Sequence, residues 1–154
     1  MTAQIVRDFL DEHGIRYVSI KHSPAYTAQE VAASAHISGR DFAKTVILLI
    51  DGEMAMVVLP ASQRLHLPDL RDMLRTDDVV LAEEAEFRQQ FPDCELGAMP
   101  PFGNLYKIPT YIAEPLTNEP EIAFNAGSHT EVIVMSYEDY EQIVRPQVLA
   151  FVTV

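Results

Sequence analysis

Lys44 is the residue whose type and position first suggest chemistry. It directly precedes Thr45–Ile50, an apolar run of strand length, and Asp51-Gly52 joins this run to a second one, Met54–Leu59. Asp-Gly suits a tight hairpin turn because glycine takes positive φ without steric cost. Neither run alternates apolar with polar residues, which is typical of a central hairpin covered on both faces. A lysine here is either a rim residue that reaches water or a cation aimed at a cavity.

A second candidate is the loop Leu96–Asn104, which holds two glycines and two prolines in nine residues. It lacks the glycine spacing of a nucleotide-binding loop, so that class of site is excluded. Pro100 and Pro101 stiffen the loop, and Gly97 and Gly103 allow close approach of a ligand to the backbone. The loop is either a rigid surface connection or a wall with fixed backbone groups.

His129 follows a Gly-Ser turn at the start of a predicted strand, where it is either merely polar or an acid, base or hydrogen-bond donor. The histidines lack the paired spacing of metal ligands, so neither a metal nor another cofactor is expected. Cys94 stands among acidic residues, which raise a thiol pKa and argue against a catalytic cysteine. The sequence also lacks the G-x-S-x-G elbow of one class of serine hydrolase.

The charge distribution limits the kind of partner. The formal net charge is −12, and residues 69–95 hold nine acidic and three basic residues, whereas the first 68 residues are nearly balanced. A long phosphate track needs a basic face, and the sequence has no basic cluster. A nucleic-acid substrate would therefore be held over a small footprint, such as one terminal nucleotide.

Length and composition predict one globular domain over residues 1–154, with 48% hydrophobic and 22% charged residues. The sequence has neither a signal-peptide pattern nor an apolar run of the roughly 20 residues that span a bilayer. The single cysteine fits a reducing compartment. A cytoplasmic protein without membrane contact is expected.

Strand and helix signals mix without regular alternation, which predicts an α+β fold with a mostly antiparallel core. Helices are predicted over 3–13, from a Thr27-x-x-Glu30 capping box to 35, and over 67–74, 83–91 and 136–144. Besides the hairpin, strands are predicted over 15–20, 79–81, 108–112, 121–124, 130–135 and 149–154.

The order of these motifs resembles the YbaK/prolyl-tRNA synthetase-associated editing family. That family has an H-[ST]-P-x-x-T segment, a lysine entering a central hairpin, a G-x-x-x-P loop and a strand–Gly–strand unit. The corresponding segments here are His22-Ser23-Pro24-Ala25-Tyr26-Thr27, Ala43-Lys44-Thr45-Val46, Gly97-Ala98-Met99-Pro100-Pro101 and Phe124-Asn125-Ala126-Gly127-Ser128-His129. The resemblance spans nearly the whole chain.

The resemblance implies a single α+β domain on a curved, mixed, barrel-like sheet, and hydrolysis of a wrong amino acid from the 3′-terminal adenosine of a tRNA. The mischarged acceptor end is the implied partner, and an aminoacyl-tRNA synthetase is a further candidate partner. Lys44 takes the catalytic position near the ester, and His129 a position used for substrate selection. The other implied substrate-binding residues are Gly97, Ala98, Met99, Pro100, Pro101, Phe102, Gly127, Ser128, His22, Tyr26 and Thr27.

Three other hypotheses remain beside a deacylase that acts in trans. The acidic surface favours a non-catalytic module that binds an aminoacyl-adenosine or other small ligand. A lysine in a dry site also suits Schiff-base chemistry. In the simplest alternative, Lys44 is only a rim residue. The motifs do not specify which amino acid is removed.

Overall fold

The predicted hairpin forms the centre of the larger of two β-sheets in the computed structural model, which describes residues 4–23, 27–150 and 153. Its strands are β2 (Ala43–Ile50) and β3 (Glu53–Pro60). Asp51 and Gly52 have φ values of 50° and 81°, as the mirror-image turns of tight hairpins require. The sequence prediction of a central Asp-Gly hairpin is confirmed.

The other strands complete sheets of five and three strands. They are β1 (Tyr17–Lys21), β4 (Val79–Leu81), β5 (Thr110–Ala113), β6 (Glu121–Asn125), β7 (Glu131–Ser136) and β8 (Gln147–Leu149). The order is β4-β2-β3-β5-β8 in the larger sheet and β1-β7-β6 in the smaller. β3–β5 and β5–β8 pair in parallel and the other ladders are antiparallel, which confirms the mixed, mostly antiparallel α+β prediction.

The two sheets meet where Phe42, just before β2, forms a parallel bridge with Ala123 of β6. The Asp41 carbonyl accepts a hydrogen bond from Ala123 N at 3.0 Å beside this bridge. Among the described strands, the ladders do not close into a barrel. The core therefore consists of two sheets joined at this seam.

Six helices surround the sheets in the described part of the chain: α1 (Gln4–Glu12), α2 (Ala28–Ser34), α3 (Leu67–Leu74), α4 (Glu84–Phe87), α5 (Glu114–Thr117) and α6 (Tyr137–Val144). The predicted capping box is present, since Thr27 Oγ1 accepts from Glu30 N at 3.0 Å and Thr27 N donates to Glu30 Oε1 at 3.2 Å. Ser136 caps α6 as predicted, through Asp139 N at 3.3 Å.

Two helical details differ from the prediction. The helix predicted over 83–91 is a single α-turn, α4, followed by a 3₁₀ turn over Arg88–Gln90, where Gln90 Nε2 donates to the Tyr106 carbonyl. Helix α5 was missed because its four residues are too short to show a helical period. Within the described residues, no helix is long and apolar enough to cross a membrane.

Alternate residues of β2 pack into different hydrophobic clusters. Ala43 and Ile47 belong to the main core, together with Phe102 and Phe124. Phe42 instead packs in a second cluster beneath α2, which we call the α2-side cluster and which contains Val31, Ala32, Ala35, Phe42, Ala61, Ala123 and Val132. Because side chains alternate along a strand, Lys44 projects to the same side as Phe42.

Candidate functional site

The loop that begins at Gly97 is bound directly to the turn between β6 and β7. Glu95 N donates to the Gly127 carbonyl at 2.8 Å, and Gly127 N donates to the Ala98 carbonyl at 3.1 Å. Gly97 and Gly127 have φ values of 83° and 90°, which glycine adopts without strain. Two segments that are 30 residues apart in the sequence are therefore joined by a pair of backbone hydrogen bonds, and we call them the loop–turn unit.

His129 packs against the Leu96–Gly97 part of this unit. Its side chain is buried, and Nε2 lies 2.7 Å from the Leu96 carbonyl and 3.9 Å from Glu95 Oε2. A carbonyl only accepts hydrogen bonds, so Nε2 carries a proton and donates it to Leu96. A carbon placed at the Cβ position of Gly97 would lie 3.4 Å from His129 Cε1. His129 thus fixes the loop at Leu96 and lies directly against Gly97.

Most side chains of the loop point into the protein. Gly97 is exposed, whereas Ala98, Met99, Pro100, Pro101 and Phe102 are all buried. The loop therefore presents its backbone and the Gly97 surface outward, while its apolar side chains attach it to the core.

Phe102 is the deepest attachment point of the loop, with none of its surface exposed. Its ring makes edge contacts with Phe9, Phe124 and Tyr140 at centroid distances of 6.2, 5.3 and 5.4 Å. Tyr140 OH also donates to the Pro101 carbonyl at 2.5 Å. These contacts hold the end of the loop in place through the main core.

Lys44 lies on β2 opposite Leu59 of β3, two residues beyond the bridge between Phe42 and Ala123. It is partly buried, and its ammonium has no hydrogen bond or ion pair to another described residue. Burial and the nearby positive charge of Arg64 lower the pKa of Lys44 below its ordinary 10.5. Among the described residues, Lys44 is therefore a cation without a counter-ion at the seam between the sheets.

The parallel bridge places Lys44 on the same side as the end of β6. Asn125 occupies the corresponding position on β6, two residues after Ala123, and the turn that binds the Gly97 loop follows it directly. Lys44 and the loop–turn unit are thus connected through neighbouring strands, and Lys44 makes no hydrogen bond to that unit in the described part of the chain. Arg64 is a second cation near Lys44, which the sequence interpretation did not single out.

Three of the remaining predicted site residues, His22, Ser128 and Thr27, make hydrogen bonds within the protein. His22 N donates to the Thr130 carbonyl at 2.9 Å and extends the β1–β7 ladder to the turn. Ser128 is buried and its Oγ lies 3.3 Å from Thr130 Oγ1. Thr27 caps α2. Tyr26 lies outside the described residues.

Comparison with known proteins identifies the family. The model of the aminoacyl-tRNA editing domain matches residues 22–143, a span that contains all the site residues described above. The chain belongs to this editing-domain family. It is 28% identical to the prolyl-tRNA editing protein ProX of Acetoanaerobium sticklandii, over 88% of this chain and 86% of the relative.

A second relative and one solved structure extend the comparison. The chain is 26% identical to the multifunctional Ser/Thr-tRNA deacylase ProXp-y of Escherichia coli K12, over 98% of this chain and 93% of the relative. The crystal structure of a candidate trans-editing enzyme for prolyl tRNA synthetase superposes with a TM-score of 0.80 at 19% identity, covering 96% of this chain and 94% of that one. At that identity the structural likeness concerns the fold alone.

The Cys94 side chain faces a second group of polar residues. Cys94 lies beside Tyr106 and Asp93, next to a groove of about 440 Å³ that none of the predicted site residues line. Burial raises the pKa of Cys94 to about 12, so the thiol stays protonated at neutral pH. Within the described residues, no group of three or more His, Cys, Asp or Glu side chains is arranged to hold a metal ion.

Proposed function

We propose that this protein is an aminoacyl-tRNA deacylase that hydrolyses the ester of a mischarged tRNA and acts in trans as one editing domain over residues 1–154. The family match over residues 22–143 is the observation that carries the proposal. Two relatives matched over most of their length are named as a prolyl-tRNA editing protein and a Ser/Thr-tRNA deacylase. The mischarged acceptor end is the substrate, and an aminoacyl-tRNA synthetase is a candidate partner in the cytoplasm.

Lys44 supplies the charge that this reaction needs. Attack of water on the ester carbonyl places negative charge on its oxygen, and a fixed cation or backbone donor lowers the energy of that state. Lys44 is a partly buried cation without a counter-ion among the described residues, so its field is available to the substrate. It serves either the developing oxyanion or the phosphate of the terminal nucleotide.

Water is the nucleophile in this account. Cys94 is protonated and separate from the site, and the Nε2 proton of His129 is engaged by the Leu96 carbonyl. His129 is therefore a positioning residue, which holds the Leu96–Gly97 segment against the turn. Backbone groups or a ribose hydroxyl of the substrate orient the water.

The Gly97 loop forms the wall against the amino acid. It is anchored by Phe102, by the bond between Tyr140 and Pro101, and by the pair of backbone bonds to Gly127. A methylene group normally changes binding by only about 1–3 kcal/mol, and a wall that cannot yield achieves the upper end of this range. The anchored loop can therefore exclude larger side chains.

Arg64 adds a second positive charge near Lys44, on the solvent side. These two cations offer a local positive surface to tRNA on a protein whose net charge is −12. Arg64 is exposed, follows the turn in which Gln63 N donates to the Pro60 carbonyl at 3.0 Å, and has no ion-pair partner among the described residues. Lys44 and Arg64 together offer two cations over a short distance. This arrangement fits contact with one or two phosphates rather than with a long duplex.

Replacing Arg64 with glutamine is expected to shift the pH dependence of deacylation. The positive charge of Arg64 lowers the pKa of Lys44, so its removal raises that pKa toward 10.5. The alkaline fall in rate, corrected for spontaneous ester hydrolysis, then moves to higher pH in the variant. The shift shrinks with added salt because screening weakens the interaction. An unchanged alkaline limb at low salt contradicts a role for the Lys44 ammonium in the rate.

Gly97→Ala is expected to slow deacylation, with Gly52→Ala as its matched control. Gly97 has a φ of 83° and Gly52 a φ of 81°. Alanine at either position is therefore expected to lower the free energy of unfolding by about 1–2 kcal/mol. Gly52 has open space around it, whereas the new methyl at Gly97 lies against His129 Cε1 at 3.4 Å. Denaturant unfolding should give similar losses, but only Gly97→Ala should lose roughly tenfold or more in kcat/KM. Equal activity of the two variants would separate Gly97 from the substrate.

The proposed function is tested with a panel of tRNAs that carry alanyl, cysteinyl, seryl, threonyl or prolyl esters. Release of labelled amino acid is measured at neutral pH with and without protein. Faster release from at least one mischarged tRNA is the expected result. Binding of a non-hydrolysable aminoacyl-adenosine analogue without any release would favour the non-catalytic binding module instead.

A further inference from the structure

The segment between β3 and α3, residues 61–66, is fixed at its start by the residues that lead to the seam; we call it the β3–α3 loop. Ala61 N donates to the Phe42 carbonyl at 2.8 Å, and Ser62 N donates to the Gly39 carbonyl at 3.2 Å. Phe42 is also the residue that bridges the two sheets. The loop therefore leaves β3 in a fixed position relative to the seam.

Thr153 holds the second half of this loop. It forms an isolated antiparallel bridge with Leu65, and its Oγ1 donates to Gln63 Oε1 at 2.6 Å. Arg64 is the residue between these two contacts. Leu65 also packs against the hydrophobic cluster that contains Leu149, the last residue of β8. The part of the chain that follows β8 thus binds the loop on both sides of Arg64.

The bond between Thr153 and Gln63 restrains the loop against a different part of the fold. The two residues are 90 positions apart in the sequence, and the bond is partly buried. The turn at the start of the loop has its own bond, from Gln63 N to the Pro60 carbonyl at 3.0 Å, which does not involve Thr153. Loss of the Thr153 hydroxyl should therefore leave this turn in place and loosen the residues that follow it.

The position of Arg64 matters because its side chain is long and exposed. Its positive charge acts on Lys44, whose pKa it lowers, so the two cations are neighbours. An arginine on a freely moving loop loses conformational entropy when it binds a phosphate, and this loss weakens binding. A loop that is already fixed removes part of that cost. Restraint of the loop therefore favours contact of both cations with one short nucleic-acid end.

We propose that Thr153 is a positioning residue for substrate binding, whose hydroxyl holds the β3–α3 loop so that Arg64 contacts a phosphate of the acceptor end beside Lys44. This inference rests on the proposed function and adds one residue to it. Thr153 lies outside residues 22–143, which the editing-domain model matches. It touches no substrate atom and acts through Arg64.

Thr153→Val tests this role because valine keeps the branched shape of threonine and removes only the hydroxyl. On a mischarged tRNA that wild type hydrolyses, KM at low salt should rise about two- to fivefold, the effect of one exposed ionic contact, while kcat stays the same. The slope of log KM against log salt should fall by up to about 0.7, the contribution of one single-strand phosphate contact. Thr153→Ser keeps the hydroxyl and should restore both values.

The decisive comparison is made in the Arg64→Gln background. If Thr153 acts through Arg64, Thr153→Val changes neither KM nor the salt slope further once Arg64 is replaced. Gln63→Leu removes the acceptor of the same bond, so it should reproduce Thr153→Val, and the double variant should be no worse than either single one. A further loss of the same size in the Arg64→Gln background overturns the inference, as do a wild-type KM and salt slope in Thr153→Val.

Thr117→Val is the matched control for the loss of one hydroxyl bond. Thr117 Oγ1 donates to the Glu114 carbonyl at 2.6 Å within α5, and neither residue makes a hydrogen bond to the β3–α3 loop in the described part of the chain. Both valine variants should show a small fall in melting temperature, but only Thr153→Val should change KM and the salt slope. Equal changes of KM in the two variants would contradict a specific role for Thr153.

A binding measurement separates this inference from the proposed function. Fluorescence anisotropy with a labelled, uncharged RNA minihelix that ends in CCA needs no turnover. Wild type should bind this RNA more tightly and with a steeper salt dependence than Thr153→Val, and Arg64→Gln should resemble Thr153→Val. If wild type hydrolyses no ester in the panel, the proposed function fails; equal binding and equal salt dependence of wild type and Thr153→Val contradict only the assignment of Thr153.

Discussion

Lys44→Met is expected to reduce kcat/KM for mischarged tRNA by about 100–1,000-fold, the usual effect of removing one group that stabilises an oxyanion. Methionine keeps the length and packing of the lysine side chain but removes its charge. The ammonium is partly desolvated and lies near Arg64, which lowers its pKa and destabilises the charged form in the folded protein. The variant should therefore fold with equal or greater stability than wild type while it loses activity.

The pH dependence of this stability difference has a definite sign. Because the pKa of Lys44 is lowered in the folded state, the charge penalty is fully present below that pKa. The penalty declines as pH rises through the lowered pKa and disappears at the ordinary value of 10.5. Chemical denaturation of wild type and Lys44→Met across this interval measures it.

Lys107→Met is the control for loss of one positive charge, since Lys107 is exposed and lies in a separate groove. It should keep wild-type activity. Full activity of Lys44→Met, or an equal loss in the two variants, would contradict the assignment of Lys44 to the reacting ester.

Phe102→Ala is expected to destabilise the protein by about 3–5 kcal/mol, a large fraction of the roughly 5–15 kcal/mol by which a domain is stable. Phe102 is fully buried between Phe9, Phe124 and Tyr140, so truncation leaves a cavity at the end of the Gly97 loop. The denaturation midpoint should fall accordingly. Deacylation should also fall under conditions where the variant is still folded, because the loop loses its anchor.

Phe87→Ala separates these two effects. Phe87 is also buried in the main core, where its ring meets the edge of Phe91 at 6.4 Å, but it lies on α4 outside the loop–turn unit. Its truncation should lower stability and leave the activity per folded molecule unchanged. If folded Phe102→Ala is as active as Phe87→Ala, the loop does not need its anchor to hold the substrate.

Local features of the fold were predictable because they depend on neighbouring residues. Asp51-Gly52 specifies its turn through φ, and Thr27 with Glu30 forms a capping box from four consecutive residues. Periodicity located the longer helices and most strands, with bounds that differ by one or two residues. The last strand is the exception, since it was predicted over 149–154 and the described strand is Gln147–Leu149. Periodicity failed for α5, whose four residues contain no full period.

The site was predictable only in part, since its geometry depends on contacts between distant segments. Motif order indicated Lys44, the Gly97 loop and the Gly127–His129 turn. The bridge between Phe42 and Ala123, which brings Lys44 beside β6, has no signal in the sequence around either residue. The nearness of Arg64 to Lys44 was missed for the same reason, since Arg64 resembles an ordinary surface residue until its neighbours are known.

The most direct test of the account is single-turnover hydrolysis with the wild-type protein in excess over one tRNA, charged in parallel with its correct and with wrong amino acids. The account predicts that at least one wrong amino acid is released well above the spontaneous rate, that the correct one is spared, and that Lys44→Met abolishes the difference. Release at the spontaneous rate from every mischarged tRNA, or release that does not depend on Lys44, would contradict it.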